Sequence, residues 1–251
     1  MTGNTGLSDE HARWFEERGI PCEVAAEAGC YSEGRALCFP YVRKSEVLYV
    51  KLRMPQKRFA LDRTGAKLAL WQLDRLAESQ AESRSDTLII TEGEIDALSW
   101  MAAGAACVTT VPNGASSDKP GEEPVIYPAS DTRFGYLWEG GKLIPELTPF
   151  KRFILATDAD IKGQVLRDEL AVRLGRERCW WLPYPEGCKD TNDVLQKHGL
   201  TALTALLDDA RRHMRRKGEE TIAEADRLDA LYRAVTDSAS PDDAAMAPDA
   251  E

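Results

Sequence analysis

In Thr87-Leu88-Ile89-Ile90-Thr91 an apolar, β-branched run of strand length stops at the charged turn Glu92-Gly93-Glu94, and from there Ile95, Leu98, Met101 and Ala102 recur at helical spacing. The change from a buried strand to a helix is repeated downstream. Cys107 to Val111 reads as a second strand closing on Pro112-Asn113-Gly114, Phe153 to Thr157 as a third, and Cys179 to Leu182 as a fourth. Between the last two, Leu166, Leu170 and Leu174 line one helical face. Strands that alternate with helices predict a mostly parallel, Rossmann-like α/β sheet flanked by helices.

Ligands of open α/β sheets bind beyond the carboxyl ends of the strands. Glu92 stands directly after the first strand, Asp158 and Asp160 directly after the third, and Lys189-Asp190 after the fourth. Acids two apart point the same way if the backbone stays extended. Carboxylates gathered this closely raise each other's pKa unless a cation sits among them, and hard oxygen donors with waters suit Mg²⁺ or Mn²⁺. An acid at a strand end is also a common helix N-cap. The combination of acids after separate strands, rather than a lone Asp-x-Asp, points to metal-assisted phosphate chemistry.

Upstream the pattern is different. Ser8 is a good N-cap, with Asp9 and Glu10 in the first turn and Gly19 as a stop. Pro21 opens a second short helix. Strands are expected at Leu37–Tyr41, Val47–Arg53 and Arg58–Leu61, the last two joined by a turn at Met54-Pro55-Gln56. In the middle strand Val47, Tyr49, Lys51 and Arg53 share one face. Residues 40–67 hold eight Lys or Arg against Glu46 and Asp62, although the whole chain carries −10. Local charge of this kind decides whether a polyphosphate docks. The polar run Glu78 to Asp86 reads as a linker.

The expected organisation is therefore a small α+β basic subdomain over residues 1–85, an α/β domain over 86–195 with an insertion at about 115–150, C-terminal helices over 196–237, and a disordered acidic tail over 238–251. Arg211, Arg212, Arg215 and Arg216 give the C-terminal helices a basic end, and residues 217–251 hold ten acids against three bases. No apolar run approaches the roughly 18 residues of a membrane span, and Met1 to Ser8 lacks the order of a signal peptide, so a soluble, cytoplasmic protein is expected. The six cysteines form no CxxC pair, so no zinc is expected and the thiols should be reduced.

The stretches Thr91-Glu92-Gly93-Glu94-Ile95-Asp96-Ala97-Leu98, Asn113-Gly114-Ala115, Asp158-Ala159-Asp160 and Cys188-Lys189-Asp190-Thr191-Asn192-Asp193 resemble, in order, the Toprim domain of bacteriophage primase-helicases and the twinkle group. Lys51-Leu52-Arg53 with Lys57-Arg58-Phe59 resembles, more weakly, the basic motif of the primase RNA-polymerase subdomain. The resemblance implies Glu92 as general acid/base, Asp158 and Asp160 as metal ligands, and Asp96 and Asp190 as further metal-site candidates. It also implies nucleotide or DNA contacts by Lys51, Arg53, Lys57, Arg58 and Lys189, with Asn113 and Gly114 shaping the pocket.

The activity so implied is Mg-dependent synthesis of RNA primers on single-stranded DNA from ribonucleoside triphosphates, beside a separate replicative helicase. These 251 residues contain neither a zinc ribbon nor a GxxxxGK[ST] phosphate loop. A Toprim nuclease and a non-catalytic module that binds DNA or a helicase are the rival readings. A phosphoacceptor receiver built around Asp158 suits the sheet but leaves the Glu92 motif unexplained.

Overall fold

The computed structural model describes residues 6–114 and 133–210. The chain opens with α1 (Asp9–Glu16), whose N-cap Ser8 accepts a hydrogen bond from the His11 backbone N–H. After α2 (Cys22–Glu27) come four antiparallel strands in sequential order: β1 (Tyr31–Glu33), β2 (Ala36–Arg43), β3 (Glu46–Met54) and β4 (Arg58–Leu61). The three strands read from the sequence are present, and β1 is an addition too short to carry a period of its own. Arg53 is paired directly with Phe59, and Lys51 with Leu61.

The β2–β3 turn places Lys44 and Ser45 at φ 55° and 61°, a left-handed pair that costs L-residues about 1–2 kcal/mol each. Asp74 holds it, accepting hydrogen bonds from the backbone N–H groups of both at 2.6 and 2.7 Å. Asp74 belongs to α3 (Leu73–Ser83), a helix that occupies most of the run expected to be a linker. The polar composition of 78–86 misled because it is the outer face of an amphipathic helix, whose Leu73 and Leu76 are buried.

Next comes the sheet of β5 (Thr87–Thr91), β6 (Val108–Thr110), β9 (Arg152–Ala156) and β10 (Cys179–Trp181), in the spatial order β10-β9-β5-β6 with every pair parallel. Helices α4 (Glu94–Ala102) and α5 (Ile161–Leu174) make the crossovers within it. Between β6 and β9 lies a two-residue hairpin of β7 (Trp138–Glu139) and β8 (Lys142–Leu143). The first part of the expected insertion, 115–132, lies outside the described residues. The part that is described is anchored by Arg43, which binds Glu139 and Glu146 at 2.8 and 2.6 Å.

Period-two alternation along the sheet separates two cores. Ile89, Ile154 and Val108 pack against Ala97, Leu98 and Trp100 of α4, Phe15, Tyr41, Tyr49 and Trp71 from upstream, and Val194 and Leu203 of α6, the helical stretch over 191–210. Leu88, Ile90, Phe153 and Leu155 face α3, α5 and Phe134 to Phe150 on the other side. The first core thus runs without interruption between residues before and after position 85. Gly199, at φ 78°, kinks α6. The basic end at 211–216 and the tail at 238–251 lie outside the described residues. All six cysteines are free thiols, and no helix among the described residues is long and apolar enough to cross a membrane.

One close approach fixes the strand end that matters most. A Cβ on Gly163, in the first turn of α5, would stand 2.1 Å from the Asp158 carbonyl oxygen and 2.8 Å from its Cα. The Thr157 hydroxyl donates to the Gly163 carbonyl at 2.8 Å and completes the clasp. Gly163→Ala should therefore destabilise the fold toward the upper end of the about 1–3 kcal/mol that overpacking costs. Urea unfolding measures this, and a midpoint equal to wild type would contradict the clasp.

Candidate active site

Thr91 of β5 lies in register with Ala156 of β9, so the residues that follow, Glu92 and the Thr157-Asp158 turn, leave adjacent parallel strands side by side. The Asp158 backbone N–H donates to Glu92 Oε2 at 3.2 Å. Hydroxyls tie the rim: Thr91 donates to the Gly93 carbonyl and Thr110 to the Thr91 carbonyl, both at 3.0 Å. Gly114 (φ 64°) places its α-carbon hydrogens beside Glu92, where a Cβ would meet Glu92 Cγ at 3.7 Å.

Asp96, in the first turn of α4, is buried and accepts a hydrogen bond from the Asn192 backbone N–H at 3.1 Å. Burial, then the charges of Asp190, Asp158 and Glu92, push its pKa well above the carboxylate range. Asp158 is pushed up to about 7, chiefly by burial and then by Glu92 and Asp190. Asp190 accepts from the Asp193 backbone N–H at 2.7 Å, an N-cap to α6, and pairs with Lys189 at 2.9 Å. That pairing raises the Lys189 pKa. Four carboxylates thus meet at one edge, which stores repulsion that a divalent cation would relieve.

A cavity of about 650 Å³ opens over this edge. Glu92, Asp96, Asn113, Gly114, Asp158, Lys189 and Asp190 line its floor, and Lys51, Arg53 and Lys57 line it from the antiparallel sheet. Ten of the twelve residues singled out from the sequence therefore share one space. Arg58 lies outside the lining, exposed on β4. So does Asp160, whose Oδ1 caps α5 by accepting from the Gly163 N–H at 2.8 Å. The cap turns the Asp160 side chain away from the direction expected of an extended Asp-x-Asp.

Lys51 is committed to the protein. Its Nζ binds Glu94 Oε1 at 2.8 Å and the Pro112 carbonyl at 2.9 Å. Glu94, 4% exposed, also accepts from the Tyr41 hydroxyl at 2.5 Å. This buried knot was not singled out among the site residues, because an acid one position from a helix start gives no sign in the sequence of a lysine over forty residues away. Asn192 was missed for a similar reason: its amide donates to the Arg18 carbonyl and to Ser99 Oγ, both at 3.0 Å. A signal existed, since Asn192 lies within a quoted motif, but its partners come from distant segments.

The donor set suits a hard cation, since every acidic group at the edge offers oxygen. Among the described residues no three His, Cys, Asp or Glu side chains stand close enough to form a metal cage.

The architecture matches the primase catalytic fold. The primase fragment of the bacteriophage T7 primase-helicase protein superposes with a TM-score of 0.57 at 19% identity, covering 82% of this chain and 81% of that one. The zinc-binding and RNA-polymerase domains of the Aquifex aeolicus primase give 0.56 at 14% identity, covering 81% and 56%. By sequence the chain is 34% identical over 168 residues to an Arabidopsis thaliana primase homolog protein, which takes in 65% of this chain. It is 32% identical over 179 residues, 69% of this chain, to the Arabidopsis thaliana twinkle homolog protein, chloroplastic/mitochondrial. The chain spans 47% of the first relative and 24% of the second. No protein-family model matches it. The resemblance to primases of the bacteriophage and twinkle type, read from the acidic motifs, is thus shown by relatives in both sequence and structure.

Two outcomes follow from this geometry. Lys51→Met leaves Glu94 buried without its cation, and the loss of one partner from a buried pair costs about 3–5 kcal/mol. Lys51→Met/Glu94→Gln should recover part of that stability, whereas equal chemical-denaturation midpoints for wild type and Lys51→Met would sink the reading. Asp158, with its folded pKa raised, binds more protons folded than unfolded, so its contribution is present below the unfolded value near 4 and is lost as pH rises through about 7. The metal-free protein should melt at lower temperature at pH 8 than at pH 5.5. Asp158→Asn should flatten that difference in a thermal melt.

Proposed function

We propose that this chain is a DNA primase-like nucleotidyltransferase that joins ribonucleoside triphosphates on single-stranded DNA in phage-type replication, with Mg²⁺ or Mn²⁺ as cofactor and a separate replicative helicase as partner. The observation that carries it is the contact of Glu92 with Asp158 in a cavity that Arg53 and Lys57 also line. The relatives support the substrate class: one T7 structure holds primase domains bound to an RNA/DNA hybrid and dTTP, and a DnaG primase catalytic domain is bound to single-stranded DNA.

In this reading Glu92 takes the proton of the attacking 3′-hydroxyl as general base. Asp158 would hold the cation, with Asp96 and Asp190 adjoining it. Asp160, engaged as the N-cap of α5, stands outside the cavity lining and is given no part in this reading. A bound divalent ion would neutralise phosphate charge and lower the pKa of the hydroxyl. Lys189, 62% exposed at the side chain, is free to swing toward a phosphate, with Asp190 as its resting partner. Gly114 leaves room at Glu92 for the reacting group.

The test is primer synthesis on single-stranded DNA with labelled ribonucleotides and Mg²⁺ or Mn²⁺. Glu92→Gln should reduce the product at least about 100-fold, the lower end of what a general base contributes. Wild type making no more oligonucleotide than Glu92→Gln would end the proposal. Cleavage of DNA without added nucleotides, abolished by Asp158→Asn, would point instead to a nuclease.

A further inference from the structure

In the lining of the same cavity, two guanidinium groups lie over one indole. The Arg18 and Arg53 guanidinium carbons are 3.6 and 4.4 Å from the centroid of the Trp14 ring. Arg18 and Trp14 are four residues apart on and just past α1, and Arg53 comes across from β3. Such stacking fixes the guanidinium planes while leaving their N–H edges able to fork onto an anion.

Bringing two cations to one ring is unfavourable without an anion between them. Among the described residues neither guanidinium has an ion-pair carboxylate partner, and the one side-chain hydrogen bond of the two goes from Arg18 Nη1 to the Trp14 carbonyl at 3.1 Å. Other basic residues of the same face are already neutralised, Arg43 by Glu139 and Glu146 and Lys51 by Glu94. Asn192 anchors the pair to the acidic edge, since its amide holds the Arg18 carbonyl while its backbone N–H holds Asp96. Phe59, directly opposite Arg53 in the strand register, is 54% exposed and lines the same cavity. An exposed aromatic beside a charge that can hold phosphate suits a nucleobase.

We propose that Trp14, Arg18 and Arg53 form a phosphate clamp for one nucleotide, whose base stacks on Phe59. This deepens the polymerase reading by assigning a substrate subsite in the cavity that Asp158 also lines. The shared chemistry is a nucleotide phosphate, supplied either by a free triphosphate or by a strand. Indole stacking and the Asn192 tether make the clamp preformed, which lowers the ordering cost of binding.

Equilibrium binding of ATP with Mg²⁺ and of a dT20 oligonucleotide, by fluorescence anisotropy with labelled probes, separates the two sources. Arg18→Gln should weaken the ligand that uses the clamp about tenfold, as expected for a lost charge-assisted contact. If that ligand is the strand, the slope of log K against log salt should fall by about 0.7. Arg18→Lys should recover only part of the loss, because lysine has no fork, and Phe59→Ala should weaken the same ligand without changing the salt slope. Unchanged affinities for both ligands in a variant that melts like wild type would overturn the clamp. Wild type that binds through Arg18 yet makes no primer would refute the polymerase reading and leave the clamp standing.

Discussion

Repulsion among Glu92, Asp96, Asp158 and Asp190 is the constraint around which this chain is built. Side chains of like charge do not gather by themselves, and here burial adds to the cost by favouring the protonated forms of Asp96 and Asp158. The parallel sheet delivers Glu92 and Asp158 as neighbours because their strands are hydrogen-bonded in register. Backbone donors then hold the oxygens: the Asp158 N–H on Glu92, the Asn192 N–H on Asp96 and the Asp193 N–H on Asp190. Main-chain dipoles soften the repulsion without discharging it.

The second requirement is that the basic sheet face this edge in a fixed way. Lys51, Glu94 and Tyr41 form the joint: one acid from the start of α4 is gripped by a lysine from β3 and a hydroxyl from β2, all with little exposure. A buried ion pair contributes little net stability, but its geometry is exacting, so its return is orientation. The hydrophobic core shared by Tyr41, Tyr49, Trp71, Ile89 and Trp100 does the holding, and the ion pair sets the angle. This explains why a lysine that looks like a substrate contact in the sequence is occupied by the protein.

The sheet was legible because TLIIT, FILAT and CWW are short apolar runs separated by helical periodicity, and parallel strands leave few other arrangements. The acids at their ends were legible for the same reason: strand termini fix position to within a residue. What escaped notice depends on contacts distant in sequence. Glu78 to Asp86 looked like a linker since nothing local says that Leu73 and Leu76 will be buried. Asp160 looked equivalent to Asp158 until Gly163 was seen to draw the chain into a helix at that point, making one acid a cap and leaving the other at the cavity.

Partnership separates the cations of the basic face more clearly than position does. Arg43 and Lys51 sit between carboxylates and brace neighbouring elements, whereas Arg18 and Arg53 are held by an aromatic ring that leaves their charge uncompensated. Net charge over residues 40–67 counts Arg53 like Arg43 and Lys51 and leaves out Arg18, which is why it marks the right surface and misjudges which groups on it face an anion. A cation neutralised inside the protein sees little of a passing phosphate, while one stacked on indole loses hydration without gaining a counter-ion. The field that draws a polyanion into this cavity therefore comes from the stacked pair and the exposed Lys57, opposite an acidic floor that the same polyanion can approach only with a divalent ion between them.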